Sequence, residues 1–185
     1  MSLKKCVVLA SGRGSNFEAL VTGAIHYRIE ALICDKEDAP VTKIAKAHNI
    51  PTEIISSNLL KGEAFTNKLL ENLLKINPDF ILLAGFMKIL KPEIIKNFER
   101  KIINIHPSLL PKFPGLDTHK RALEANEKVH GCTVHYVDAG VDTGEIIAQT
   151  EIEIFFNDTE ENLSNRVLKA EHILYPQVVN RICET

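Results

Sequence analysis

The sequence has no excess of positive charge. Its 22 Lys and Arg stand against 24 Asp and Glu, for a net charge of −2. A nucleic-acid surface or an anionic membrane is held by a broad basic field, and this chain has none. Long apolar runs are also missing, which excludes a membrane-spanning helix. The apolar run near the N-terminus is about five residues, short of the ~7–15 of a signal-peptide core. The four cysteines (Cys6, Cys34, Cys132, Cys183) are far apart and form no C-x-x-C pair. That spacing excludes a disulfide framework and a zinc site, and reads as small buried hydrophobes in a reducing cytoplasm. Low-complexity tracts, internal repeats and Gly/Ser linkers are absent too. With 185 residues, 45% of them apolar, the chain is expected to form one domain over residues 1–185.

What is present is an alternation of strand and helix patterns, the mark of an α/β domain. "CVVLA" (residues 6–10) is continuously apolar, as a strand covered on both faces should be. Helical spacing follows in "SNFEALVTGAI", then a strand in "RIEALICD". Residues 40–48 read as a short helix opened by Pro40, and "TEIIS" as a thin third strand. Phe65, Leu69, Leu70, Leu73 and Leu74 form a helical stripe. "DFILLAG", "PEIIKNFER" and "KIINIH" continue the alternation as strand, helix, strand. After a proline-rich loop, "HKRALEAN" is a short helix, and "HGCTVHYVD" and "GEIIAQTEIEI" are strands of a more antiparallel edge. Asp158 with Glu161 fits a capping box for the last helix, whose stripe Leu163, Val167, Ala170, Leu174 should break before Pro176. The expected fold is a single-domain, Rossmann-like α/β open sheet. It is mostly parallel with an antiparallel edge, and has helices on both faces.

Two stretches carry chemistry. "LASGRGSN" sets Gly12 and Gly14 between a strand and a helix, where free N–H groups and the helix dipole favour an anion. Ser15 and Asn16 are natural caps and extra donors. Phe17 stands where a dinucleotide fingerprint needs glycine, so the loop is a phosphate cradle or a plain tight turn. In "NIHPSLLPKFPG" (residues 104–115), Asn104 and His106 lie two apart and share a face at a strand's carboxyl end, where open α/β sheets bind ligands. Pro107, Pro111 and Pro114 stiffen the loop. A carboxylate to orient the imidazole is available from "VDAGVDTGEII", and spacing leaves Asp138 and Asp142 both open. His135 reads as a packed or supporting residue inside a strand. His26, His48 and His119 read as surface residues, and Glu171 and His172 as the end of the last helix. No metal is expected.

"VLASGRGSN", "LLAGFMKIL", "NIHPSLLPKFPGLDTHKRAL", "HGCTVHYVDAGVDTGEII" and "EHILYP", in this order, resemble the phosphoribosylglycinamide formyltransferases, folate-dependent enzymes of purine synthesis. The resemblance implies formyl transfer from the cosubstrate 10-formyltetrahydrofolate, with Asn104, His106 and Asp142 catalytic. It puts Gly14, Ser15, Asn16, Gly85, Pro107 and Glu171 on the phosphoribosylglycinamide. Met87, Lys88, Ile89 and Leu90, Asn104, and the loop Asp138, Ala139, Gly140, Val141 and Asp142 would face the folate. The N-terminal half would bind the phosphate substrate and the C-terminal half the folate. A cytoplasmic enzyme of small-molecule substrates, monomeric or homodimeric, with no nucleic-acid or membrane partner, is implied. The alternative is a 10-formyltetrahydrofolate hydrolase, in which water replaces the amine.

Overall fold

The computed structural model describes residues 2–184. Seven strands form one sheet in the order β3-β2-β1-β4-β5-β6-β7. They are β1 (Lys4–Ala10), β2 (Tyr27–Cys34), β3 (Thr52–Ile54), β4 (Phe80–Leu83), β5 (Ile102–His106), β6 (Val129–Tyr136) and β7 (Ile146–Glu153). The first five run parallel, and β6 and β7 are antiparallel to their neighbours. The expected mixed sheet with an antiparallel edge is what forms.

Alternation along β1 supplies both layers of the core. Cys6, Val8 and Ala10 join Phe17, Leu20, Leu163, Val167 and Tyr175, from helices α1 (Ser15–Thr22) and α6 (Glu160–Glu184). Val41 and Ala45 of α2 (Pro40–Ala47) belong to the same layer. Val7 and Leu9 face the other way, onto Phe65, Leu69 and Leu73 of α3 (Gly62–Ile76) and Ile94 of α4 (Pro92–Asn97). With both faces covered, residues 6–10 are fully buried. A short α5 (Thr118–Glu124) follows the proline loop. Among the described residues, no helix is long and apolar enough to cross a membrane.

The termini of α1 and α6 differ from the sequence reading. Pro176 lies inside α6, which runs on to Glu184. The ring is buried against Gly23, where an added Cβ would come within 2.7 Å of it. Packing thus outweighs the hydrogen bond a proline removes. As a result Glu171 and His172 sit mid-helix. The side-chain cap of α6 is Thr159, whose hydroxyl accepts from Asn162 N (3.2 Å). Asp158 instead accepts from Phe155 N and pairs with Arg166. Helix α1 is capped by Gly14 in the left-handed region (φ 87°), with no side-chain cap, and Ser15 is its first residue. It stops at Thr22, because Asn180 binds Ile25 N, His26 N and Gly23 O and so holds the next turn open.

Tyr175 ties α6 to the carboxyl half of the sheet. Its buried hydroxyl donates to Ile103 O (2.9 Å) and Leu83 O (3.1 Å), in the two strands that lead to the cleft. Burial holds this phenol well above its ordinary pKa, so it remains a donor at any working pH. Tyr175→Phe should cost about 1–3 kcal/mol by stranding these acceptors, read as a lower urea midpoint at unchanged m-value.

Candidate active site

A cleft of about 710 Å³ opens at the carboxyl ends of β4 and β5, beside the point where strand order reverses about β1. Asn104 and His106 line it together, as their shared face requires. His135 lies directly across the antiparallel ladder from Asn104. Because β6 runs against β5, the loop after β6 leaves at the start of β5. It folds back along the sheet to bring Asp142 to His106, with Oδ2 3.4 Å from Nδ1.

The hydrogen bonds fix both imidazoles. His106 Nε2 lies 3.0 Å from Phe113 O. A carbonyl can only accept, so Nε2 carries a proton. Nδ1 then faces Asp142, and a second proton there would also have an acceptor. His135 Nδ1 lies 2.8 Å from Tyr136 O and carries its proton. Burial pushes His135 below the usual histidine pKa, which keeps the ring neutral. Its bare Nε2 accepts from Asn104 Nδ2 (3.2 Å) and so orients that amide. The supporting part read for His135 matches this contact.

Asp138 and Asp142, which spacing left open, are separated by geometry. Asp138 Oδ1 accepts from Gly140 N (3.0 Å) and Thr143 Oγ1 (2.7 Å), and holds its own loop. Asp142 accepts from Gly115 N (2.9 Å) and meets His106.

At the other end of the cleft, Asn16 Nδ2 donates to Glu171 Oε2 (2.8 Å). Asn16 Oδ1 is buried without a partner and can accept from a ligand hydroxyl or N–H. Burial raises Glu171 to a pKa of about 7, against the smaller opposing effect of Asn16. Gly85, Pro107, Met87, Lys88, Ile89, Leu90, Gly140 and Val141 also line the cleft. Met87 N is already bound to Ser11 Oγ (2.9 Å). Lys88 Nζ points to the buried Asp35 (3.9 Å). Gly14, Ser15 and Ala139 are not in the lining. Gly14 is pressed on Val41, 2.8 Å from where its Cβ would be, so α1–α2 packing already demands this glycine.

His119 was read as a surface residue, but it is half-buried in the cleft wall. Its Nδ1 lies 3.1 Å from His130 Nε2. Burial, with His119 and His106 nearby, lowers His130 to about 4. Arg13 and Glu160 also line the cleft and were not foreseen. Arg13 stands inside the quoted glycine loop, the one signal that could have found it. All four cysteines are buried. Among the described residues no cluster of three His, Cys, Asp or Glu could hold a metal ion.

Residues 4–179 match the family model described as "Formyl transferase". The chain belongs to the formyl transferase family. It is 44% identical to the phosphoribosylglycinamide formyltransferase of Bacillus subtilis (strain 168), covering 97% of this chain and 95% of that protein. It is 38% identical to the Escherichia coli (strain K12) phosphoribosylglycinamide formyltransferase, over 94% and 84%. The crystal structure of the Brucella melitensis phosphoribosylglycinamide formyltransferase superposes with a TM-score of 0.94 at 41% identity, over 100% of this chain and 97% of that one.

Within this formyl transferase, Glu171 links the cleft to stability. Its carboxyl is raised from an ordinary 4.5 to about 7. The folded state therefore prefers it protonated. Its contribution is fully present below pH 4.5 and is lost as pH rises through 7. Glu171→Gln should make the protein more stable than wild type at pH 8 by roughly 3 kcal/mol. Unfolding in urea at the two pH values should show this gain disappear by pH ~4.5.

Proposed function

We infer that this chain transfers the formyl group of 10-formyltetrahydrofolate to the amine of 5'-phosphoribosylglycinamide, in purine biosynthesis. The products are the N-formyl product and tetrahydrofolate. Membership of the formyl transferase family supports this reading, as do full-length relatives of that activity. The single observation that carries the chemistry is the set Asn104, His106 and Asp142 in one cleft.

The residues present suit both substrates. Met87, Ile89, Leu116 and Val141 are apolar, line the cleft and are each more than half exposed. They offer a flat aromatic group a dry surface. Asp138 and Asp142 are close by for its polar edge. We assign Asn16, Gly85 and Pro107 of the lining to the phosphoribosylglycinamide end, with Gly14 and Ser15 as the turn that leads into Asn16 and Glu171 as acceptor for the substrate's amine or hydroxyls. In this reading the N-terminal half of the 1–185 domain supplies most of the phosphate-substrate end, joined by Pro107 and Glu171, and the C-terminal half supplies most of the folate end, joined by Met87 and Ile89.

Attack of an amine on a formyl carbon turns the carbonyl oxygen into an oxyanion, and protons must leave the amine and reach the departing nitrogen. Asn104 keeps one amide N–H for that oxygen, the other being held by His135. His106 has its Nε2–H held by Phe113 O, so the second donor is a proton on Nδ1, the nitrogen that faces Asp142. Asp142 accepts the amine's proton, directly or through water, and the same path returns it to the departing nitrogen as the C–N bond to the folate breaks.

Asn104→Ala, His106→Ala and Asp142→Asn should each lower kcat by about 10²–10³, with the unfolding midpoint largely kept. His106→Ala with near wild-type turnover would refute the assignment. Incubating the enzyme with the formyl folate, with and without phosphoribosylglycinamide, tests the reaction itself. Tetrahydrofolate should appear only with the amine present. Release without it would make the chain a hydrolase, and no release a binder.

A further inference from the structure

The two acid–base groups of the cleft are both held by main-chain atoms of one short segment. Phe113 O accepts from His106 Nε2 (3.0 Å), and Gly115 N donates to Asp142 Oδ2 (2.9 Å). Residues 113–115 therefore act as a strap across the dyad. A shift of this backbone moves the acceptor of the imidazole and the donor to the carboxylate together.

The strap is not at rest on its own. Phe113 has φ 54°, in the left-handed region that bulky residues avoid. Something must hold it there, and side chains from outside the strap do so. Ser108 Oγ donates to Lys112 O (2.6 Å) and to Phe113 O (3.2 Å). The Phe113 ring meets the edge of His130, with centroids 6.2 Å apart. Arg121 of α5 does more than either. Its Nη1 donates to Pro114 O (2.6 Å) and Leu116 O (3.1 Å), one on each side of Gly115. Its guanidinium also lies over the Phe113 ring, 5.4 Å from the centroid. A planar fork that stacks and donates at once is a property of arginine and not of lysine.

We propose that Arg121 is a positioning residue for the formyl transfer, locking the 113–115 strap that aligns His106 with Asp142. The proposal rests on the reading of the cleft given above. Arg121 touches neither His106 nor Asp142 and acts through the strap's backbone. Small misplacements of reacting groups cost rate more than binding, so its loss should appear in kcat.

The test compares Arg121→Ala, Arg121→Met and Arg121→Lys with the wild type. In Arg121→Ala and Arg121→Met, kcat should fall about tenfold while KM for each substrate stays within about twofold. Arg121→Lys, which keeps the charge but not the fork, should fall between. In ¹⁵N-labelled protein without substrates, the wild type should show an exchange-protected Nε2–H proton of His106, identified by its absence from His106→Gln. Arg121→Ala and Arg121→Met should lose it, and Arg121→Lys should keep a weakened signal. Arg121→Met retains the packed stem and stands in if Arg121→Ala does not fold. Retention of the resonance in the folded variant, its absence from the wild type, kcat within twofold of wild type, or a loss confined to KM would each overturn the proposal. The resonance needs no substrate, so it judges the strap even if the wild type transfers no formyl group.

Discussion

His106 is held at both ring nitrogens, and much of the surrounding structure follows from that constraint. The side chain is buried at the end of an apolar strand, where an unpaired polar group is costly. One nitrogen needs a carbonyl acceptor, so the proline loop must curl back until Phe113 O arrives. The other needs a carboxylate, so the loop after β6 must return along the sheet. Both loops adopt left-handed backbone to get there, at Phe113 (φ 54°) and Asp142 (φ 54°). Such conformations cost of order 1–3 kcal/mol each and persist only where neighbours over-determine them. Thr133 supplies part of that hold. Its hydroxyl donates to Ser108 O and accepts from Leu110 N and Gln149 Nε2, pinning the proline loop to β6 and β7.

The opposite end of the cleft shows the same conflict, met less fully. Glu171 is buried with one donor, Asn16, while Asn16 Oδ1 has none. A well-packed core would not keep such a pair. A ligand bearing an amine and hydroxyls would satisfy both, and in the function proposed above that ligand is the amine substrate. The raised Glu171 carboxyl is the measurable sign of that arrangement. A partly desolvated carboxylate of this kind costs stability as pH rises through its raised pKa.

Periodicity made most of the fold legible. The continuous apolar run of β1, the stripe of α3 and the alternation of β5 each report burial directly, so strand order aside, the architecture follows from them. The same alternation put Asn104 and His106 on one face. The misreadings share a cause. Pro176 and the Asp158 cap look decisive locally, and each is overruled by a contact outside the local pattern, with Gly23 and with Arg166. The parts of His119 and Arg121 depend on how the proline loop and α5 fold back, which brings His119 to His130 and Arg121 to Pro114 O and Leu116 O. The choice between Asp138 and Asp142 was also beyond spacing, because it turns on which carboxylate its own loop consumes.

The antiparallel edge gives the site its particular form. In a wholly parallel sheet every loop at the binding end leaves in the same direction, and a catalytic pair must come from neighbouring loops at that end. Here β6 runs against β5, so Ile103 pairs with Tyr136 and His106 with Thr133. The proline loop leaves from one end of this strand pair and the Asp142 loop from the other. They meet beside His106, where Gly115 N bonds Asp142 Oδ2. That contact closes a ring of chain around His106, made of two strands and two loops. The register also sets His135 opposite Asn104, so the amide is oriented by the ladder and needs no loop at all. The two side chains are thus fixed by different means: Asn104 by the sheet, and His106 by a junction of loops. The junction is the part of the site whose geometry a distant side chain can alter.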